Sequence, residues 1–148
     1  MKVFIKAFMV AMSLLFAGIG NSVYAGPALL QDAYTVTGAY ASQNYGSSPS
    51  LIVAANATSF LQFAVKPYVP IGIIGKDVAK ATLKIFVNSV TTAGSFNVSS
   101  VNSAWIEETI KGNYQPVIGL KVAGPIAITT ALAKHWISID ITLSLIHI

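Results

Sequence analysis

The sequence predicts an antiparallel β-sandwich, and three observations carry that prediction. After the first 25 residues the chain is dominated by Val, Ile, Thr, Ser, Ala and aromatic residues. Clusters of Asn, Gly, Ser and Pro recur at short intervals and mark turns. The clearest segment, VAKATLKIFVNSV from Val78, alternates with period two: Ala81, Leu83, Ile85 and Val87 share one face, and Lys80, Thr82, Lys84, Phe86 and Asn88 share the other. Successive side chains of a strand point to opposite sides of the sheet, so the first set is expected in the core. Short β-rich runs separated by turn signals favour an all-β sandwich or barrel.

The N-terminal 25 residues read differently. Lys2 and Lys6 precede AFMVAMSLLFAGIG, an apolar run of 14 residues, and NSVYA follows with short side chains at Val23 and Ala25. A charged start, an apolar middle and a small-residue end make a secretory signal peptide, expected to be helical and cut after Ala25. The run is short for a helix that must cross roughly 30 Å of hydrocarbon. The expected location is therefore extracellular, by bacterial Sec export, with no membrane segment after cleavage. No cysteine stands near the cut to carry a lipid.

Along the mature chain, AYTVT from Ala33 is expected as a strand and SQNYGSSPS as a loop. LIVAA from Leu51 and SFLQFAV from Ser59 are strands flanking a turn at NAT; in the second, Phe60, Gln62 and Ala64 oppose Leu61, Phe63 and Val65. KPYVPIGIIGKD is a long loop. The Val78 strand follows, then a turn at TTAGS, the strand FNVSSV, and an irregular stretch NSAWIEETIKGNYQP with one helical turn. VIGLKVAG and IAITTAL are two weaker segments, the second able to start a short helix. WISIDIT alternates, with Ile137, Ile139 and Ile141 inward.

Composition excludes several functions. The chain has 148 residues, 54% hydrophobic and 9% charged, with no cysteine. A secreted chain without cysteine has no disulfide framework and must be held by its core. Losing Lys2 and Lys6 lowers the formal charge from +4 to +2, and every cation is lysine. That charge is too small for a nucleic-acid partner, and the residue best suited to gripping phosphate, arginine, is missing. The five acids, Asp32, Asp77, Glu107, Glu108 and Asp140, offer no evident catalytic pair, although Glu107 and Asp140 lie near Trp105 and Trp136 in sequence. His135 stands alone, so neither a nucleophile triad nor a transition-metal site is expected. Trp105 is expected to plug the core. An enzyme is not expected.

Read in order, DAYTV, NYG, LIV, SFLQF, VAKATLKIFV, AWIEETI and WISIDIT form a series that resembles the DNRLRE-domain family, also classed as carbohydrate-binding module family 96. The resemblance runs from about Asp32 to Thr142. It implies a secreted sandwich of jelly-roll type, found beside enzymes or adhesive repeats, some members being linked to acidic polysaccharide such as alginate. SFLQFAV departs from the family by lacking the arginine usual there. The family domain also continues past I-D-I-T with a further strand, which implies that residues 26–142 are an incomplete sandwich. The closing LSLIHI can be back-translated as CTG TCT CTT ATA CAC ATC, matching a transposon-end adapter used in DNA library preparation; residues 143–148 are therefore read as an adapter-derived tail.

The functional expectation is a secreted, non-catalytic carbohydrate-binding module, with a polysaccharide or cell-surface glycan as partner. The alternative is a structural or adhesive domain of a larger surface protein with no small ligand, its partners being that protein's other domains. Sugar rings pack their C–H faces on exposed aromatics, and lysines attract acidic polymers. The outward face of the Val78 strand offers Lys80, Lys84 and Phe86, and Tyr45, Tyr68 and Tyr114 lie in loops as further candidates. No cofactor is expected beyond a structural calcium, for which Asp32 and Asn44 supply the hard oxygen ligands such an ion takes.

Overall fold

The row Ala81, Leu83, Ile85 and Val87 lies at the centre of the molecule, with exposures of 0, 5, 3 and 0%. The computed structural model describes residues 2–16, 24–65, 74 and 77–143, with side chains from Gly26 onward. The described residues form nine strands: β1 Lys2–Phe16, β2 Tyr24–Ala25, β3 Leu29–Val36, β4 Leu51–Ala54, β5 Ala57–Phe63, β6 Val78–Thr92, β7 Gly94–Val101, β8 Ile118–Ile128 and β9 His135–Asp140. One sheet has the order β3-β5-β4-β1-β6-β9, with β2 beside β1; β7 and β8 form a second sheet. Every pairing is antiparallel. The fold is all-β and sandwich-like, as the alternation predicts.

The β6–β9 register explains the core. Leu83 opposes Ile139 and Ile85 opposes Ile137, so the two inward rows meet on one side of the sheet. Ile139 and Ile141 are buried. From the second sheet, Phe96, Val98, Val122 and Ile126 pack against this cluster. Two strands do not fill the layer: a gap of about 700 Å³ remains, bordered by Leu61, Phe63, Leu83, Ile85, Phe96 and Val98. A smaller cluster, Ala33, Phe60 and Ile110, forms where the crossing from Asn102 to Val117 covers β3 and β5. Trp105 packs there against Phe60, ring centroids 5.9 Å apart, as a partly buried plug.

Four expectations are corrected. The first strand begins at Leu29, not Ala33, because its backbone pairs with β5 from Leu29↔Phe63 onward. The TTAGS turn shrinks to Ala93, with β6 running through Thr92. VIGLKVAG and the IAI of IAITTAL are one strand, β8, which continues through Gly124 and Pro125, while the rest of the second segment does start a short helix, the 3-10 turn Thr130–Leu132. Proline is tolerated at edges and bulges because its missing N–H breaks no ladder there; β8 is an edge, with register shifts opposite Phe96 to Val98. Gly124, at φ 108°, takes a conformation closed to most side chains.

The largest correction concerns the N-terminus. Lys2–Phe16, expected as a helix with few contacts, is a strand inside the sheet. It pairs with β4 over Lys2–Ile5 and with β6 from Lys2↔Thr92 to Phe16↔Val78, with an irregularity between Ile5 and Val10. The physical reason is that helix propensity is a weak prior overridden by tertiary context. An isolated helix of this length is marginal in water, whereas the β6 edge satisfies the segment's backbone. Among the described residues no helix is long and apolar enough to cross a membrane. The long loop at 66–77 lies outside the described residues except for Ile74 and Asp77, and residues 144–148 lie outside them too.

Candidate functional site

The outer face of β6 and β9 gathers what the alternation throws away from the core. Thr82 opposes Asp140, Lys84 opposes Ser138 and Phe86 opposes Trp136. Lys80 and Lys84 are exposed and Phe86 is half-buried. The two lysines sit on one face four residues apart, about 13 Å at ~3.3 Å per residue. Trp136 is 47% exposed and meets Phe86 edge to face, centroids 5.5 Å apart at 67°. Directly opposed strand residues interact most strongly, and an aromatic pair in this geometry fixes both rings. At one end Lys134 donates from Nζ to Asn88 Oδ1 at 2.8 Å. At the other, Asp140 accepts from the Thr142 hydroxyl at 2.6 Å and from the Thr142 amide at 3.0 Å. Those two bonds, with the Lys80 charge as a lesser cause, hold the Asp140 carboxyl below its ordinary value. Asp140 is thus tied into the strand end.

Of the candidate residues, Lys80, Lys84 and Phe86 come together here, and Tyr45 and Tyr114 do not. Tyr45 stacks on Tyr34 at 4.4 Å and donates its hydroxyl proton to Gln43 Oε1, at the margin of the main core. Tyr114 is 73% exposed, but it borders a separate groove of about 390 Å³ with Trp105, Ile106 and Val117. Tyr68 lies outside the described residues. Trp136 is the residue that sequence reasoning missed. The alternation that sends Ile137 and Ile139 inward sends Trp136 outward, but its place opposite Phe86 depends on strand register.

The calcium candidates sit elsewhere, around Glu107. The Asp32 amide donates to Glu107 Oε2 at 3.1 Å, and the Glu107 amide donates to Gln31 Oε1 at 2.9 Å. Asn44 Nδ2 donates to the carbonyls of Glu107 and Ile110 at 2.6 and 2.8 Å, and Asn44 Oδ1 accepts from the Gly46 amide at 3.1 Å. Asn44 therefore clamps two loops together. A Cβ at position 46 would collide with the Glu107 backbone, which is why glycine stands there. Burial, and then the nearby Glu107 charge, raise the Asp32 carboxyl above its ordinary value. Among the described residues no group of three or more His, Cys, Asp or Glu converges. Glu107 and Asp140 belong to different clusters and face different partners.

No curated protein and no solved structure matches the chain significantly. A family model does match, over residues 24–146, its description being carbohydrate-binding module family 96. The match covers most of the sequence and agrees with the resemblance read from the strand series, and the chain belongs to that family.

Proposed function

We propose that this chain is a secreted, non-catalytic module that binds an acidic polysaccharide, alginate being the type, on the outer face of β6 and β9. The observation that carries the reading is the Phe86–Trp136 pair, with an exposed indole, on the same face as Lys80 and Lys84. Binding sites combine apolar and aromatic surface with a few placed polar groups. Trp136 supplies a rigid apolar platform for a sugar ring, Phe86 holds it in place, and the lysines attract carboxylates. The family supports a carbohydrate partner, and the lysines narrow it to an anionic one.

Affinity electrophoresis in gels containing alginate tests this. The wild-type chain is expected to be retarded, and retardation should weaken as salt rises, because exposed charges are screened within about 8 Å at physiological ionic strength. Trp136→Ala should abolish most retardation at any salt. The double variant Lys80→Ala, Lys84→Ala should keep only the salt-independent part. Equal mobility of the wild type and both variants would reject this face.

A second reading has its own observation. Tyr114, Val117, Ile118 and Leu120 are all at least half exposed near the start of β8. Apolar side chains gathered on one surface commonly mark a contact with another domain. This favours a structural or adhesive role within a larger surface protein. A chain that ignores alginate and neutral glycans alike would leave that role ahead.

A further inference from the structure

Lys134 has φ 65° and is the one residue other than glycine with a positive φ among the described residues. It follows Ala133, at φ −59° and ψ 134°. Those angles make a type II turn, whose third position favours Gly or Asn because an L side chain there crowds its own backbone. The turn itself serves the fold: the Lys134 amide donates to the Val87 carbonyl of β6 at 2.7 Å. That bond needs no lysine, since glycine would supply the same amide without strain. What lysine adds is its head. Nζ donates to Asn88 Oδ1 at 2.8 Å, and the side chain is exposed. A hydrogen bond open to water contributes little net stability, so it does not account for a strained residue. Strain of this kind clusters where function uses it.

The placement of the head says what that use is. Asn88 shares the outer row of β6 with Lys84 and Phe86. One two-residue step, roughly 7 Å at ~3.3 Å per residue, separates Asn88 from Phe86, and Phe86 faces Trp136. The ammonium is thereby pinned beside the exposed indole, on the side away from Lys80 and Lys84. Resting on the sugar-binding role of this face, we propose that Lys134 grips the sugar ring stacked on Trp136, donating hydrogen bonds to its hydroxyl and ring oxygens. An ammonium has three donors; Asn88 takes one and fixes the direction of the other two. The indole packs on the C–H face of the ring while the lysine holds its edge. Lys80 and Lys84 act differently, attracting the carboxylates of the polymer from a distance. The face thus divides into a charge-independent grip at Trp136 and a charged approach along β6. Its ligand class is a pyranose polymer whose acidic groups strengthen binding without being needed for the grip.

Affinity electrophoresis at high salt, in gels with alginate and in gels with carboxyl-reduced alginate, isolates the grip. Salt screens the exposed lysines, and the reduced polymer carries no carboxylate. Lys134→Gly should weaken binding to both polymers by about tenfold, the loss that removing a charge-assisted hydrogen bond brings. Its thermal midpoint should be no lower than that of wild type, since glycine accepts a positive φ. Asn88→Ala keeps the charge but releases the head, and should fall between the two. Lys121→Ala, which removes the same charge from β8 in the other sheet, should bind as wild type does. Four results would each overturn the grip while leaving the sugar face in place: wild-type binding by Lys134→Gly or Asn88→Ala, an equal loss in Lys121→Ala, a lowered midpoint for Lys134→Gly, or a wild type that binds alginate but ignores the reduced polymer. A wild type that ignores both polymers at any salt would overturn the face and the grip together.

Discussion

Strand β6 and the crossing from Asn102 to Val117 are held in place by opposite means. β6 is specified locally: its side chains alternate, one row is buried, and both edges are paired by backbone. The crossing has no periodicity and is pinned by polar side chains from distant parts of the chain. Glu107 bonds the amide of Asp32 across 75 residues, Gln31 bonds the amide of Glu107 across 76, and Asn44 reaches Ile110 across 66. Only Ile110, at 2% exposure, and Trp105 anchor it apolarly. A face on a strand can therefore be read from pattern alone, while a loop site is legible only once its remote clamps are known.

Breaking each region in its own currency gives the largest effects. Ile85→Ala removes a buried branched side chain from the β6 row and is expected to cost about 2–5 kcal/mol. The lower half of that range applies, because Ile85 already borders the gap between the sheets and loses fewer contacts. Urea unfolding should place the midpoint lower with little change in slope. If Ile85→Ala is as stable as wild type, the inner row is not the spine of the fold. Asn44→Ala strikes the crossing instead. It strips partners from the carbonyls of Glu107 and Ile110 and from the Gly46 amide, for an expected loss of about 1–3 kcal/mol. Limited proteolysis should then cut the crossing first, with β6 still protected. Uniform cleavage throughout the chain would contradict the contrast.

The same division sets how much could be read from sequence. The β-sandwich class, the buried row of β6, the inward Ile139 and Ile141, the faces of β5 and the irregular crossing all follow from alternation and turn residues. Trp136 escaped although its outward position was implied, because its partner Phe86 lies 50 positions away and the pairing is a property of register. The role of Asn44 escaped for a related reason. An Asn in a turn-rich segment suggests a local turn or a ligand oxygen, and nothing near it announces two carbonyls more than 60 residues distant. The unity of β8 was hidden by Gly124 and Pro125, which read as punctuation and prove to be tolerated at an edge. The N-terminal segment was read by composition as a helix, whereas β6 offered its backbone a partner that no local signal encodes.

The smallest expected effect is the sharpest on this contrast, because the two regions should respond to pH with opposite sign. Near the crossing, Asp32 has its folded-state value raised above the ordinary 3.8, by burial first and by Glu107 second. Between the unfolded and folded values the folded chain keeps a proton that the unfolded chain has lost, so stability falls as pH rises through that window. Asp32→Asn removes this penalty; the variant should match or exceed wild type at neutral pH and lose its advantage below the unfolded value. At the end of β9, Asp140 is lowered by its bonds from Thr142, with Lys80 contributing less. Its contribution is present above the unfolded value and is lost as pH falls through the folded one. Asp140→Asn should therefore be slightly less stable than wild type at neutral pH, with the difference closing in acid. The Asp140 effect is kept well under about 1 kcal/mol by solvent screening. Unfolding both variants alongside wild type between about pH 3 and about pH 7, a range that spans the ordinary carboxylate values, reads the signs directly. Differences of the same sign in both variants would mean that the two carboxylates do not sit in the contrasting surroundings that the Glu107 cluster and the Thr142 bonds create.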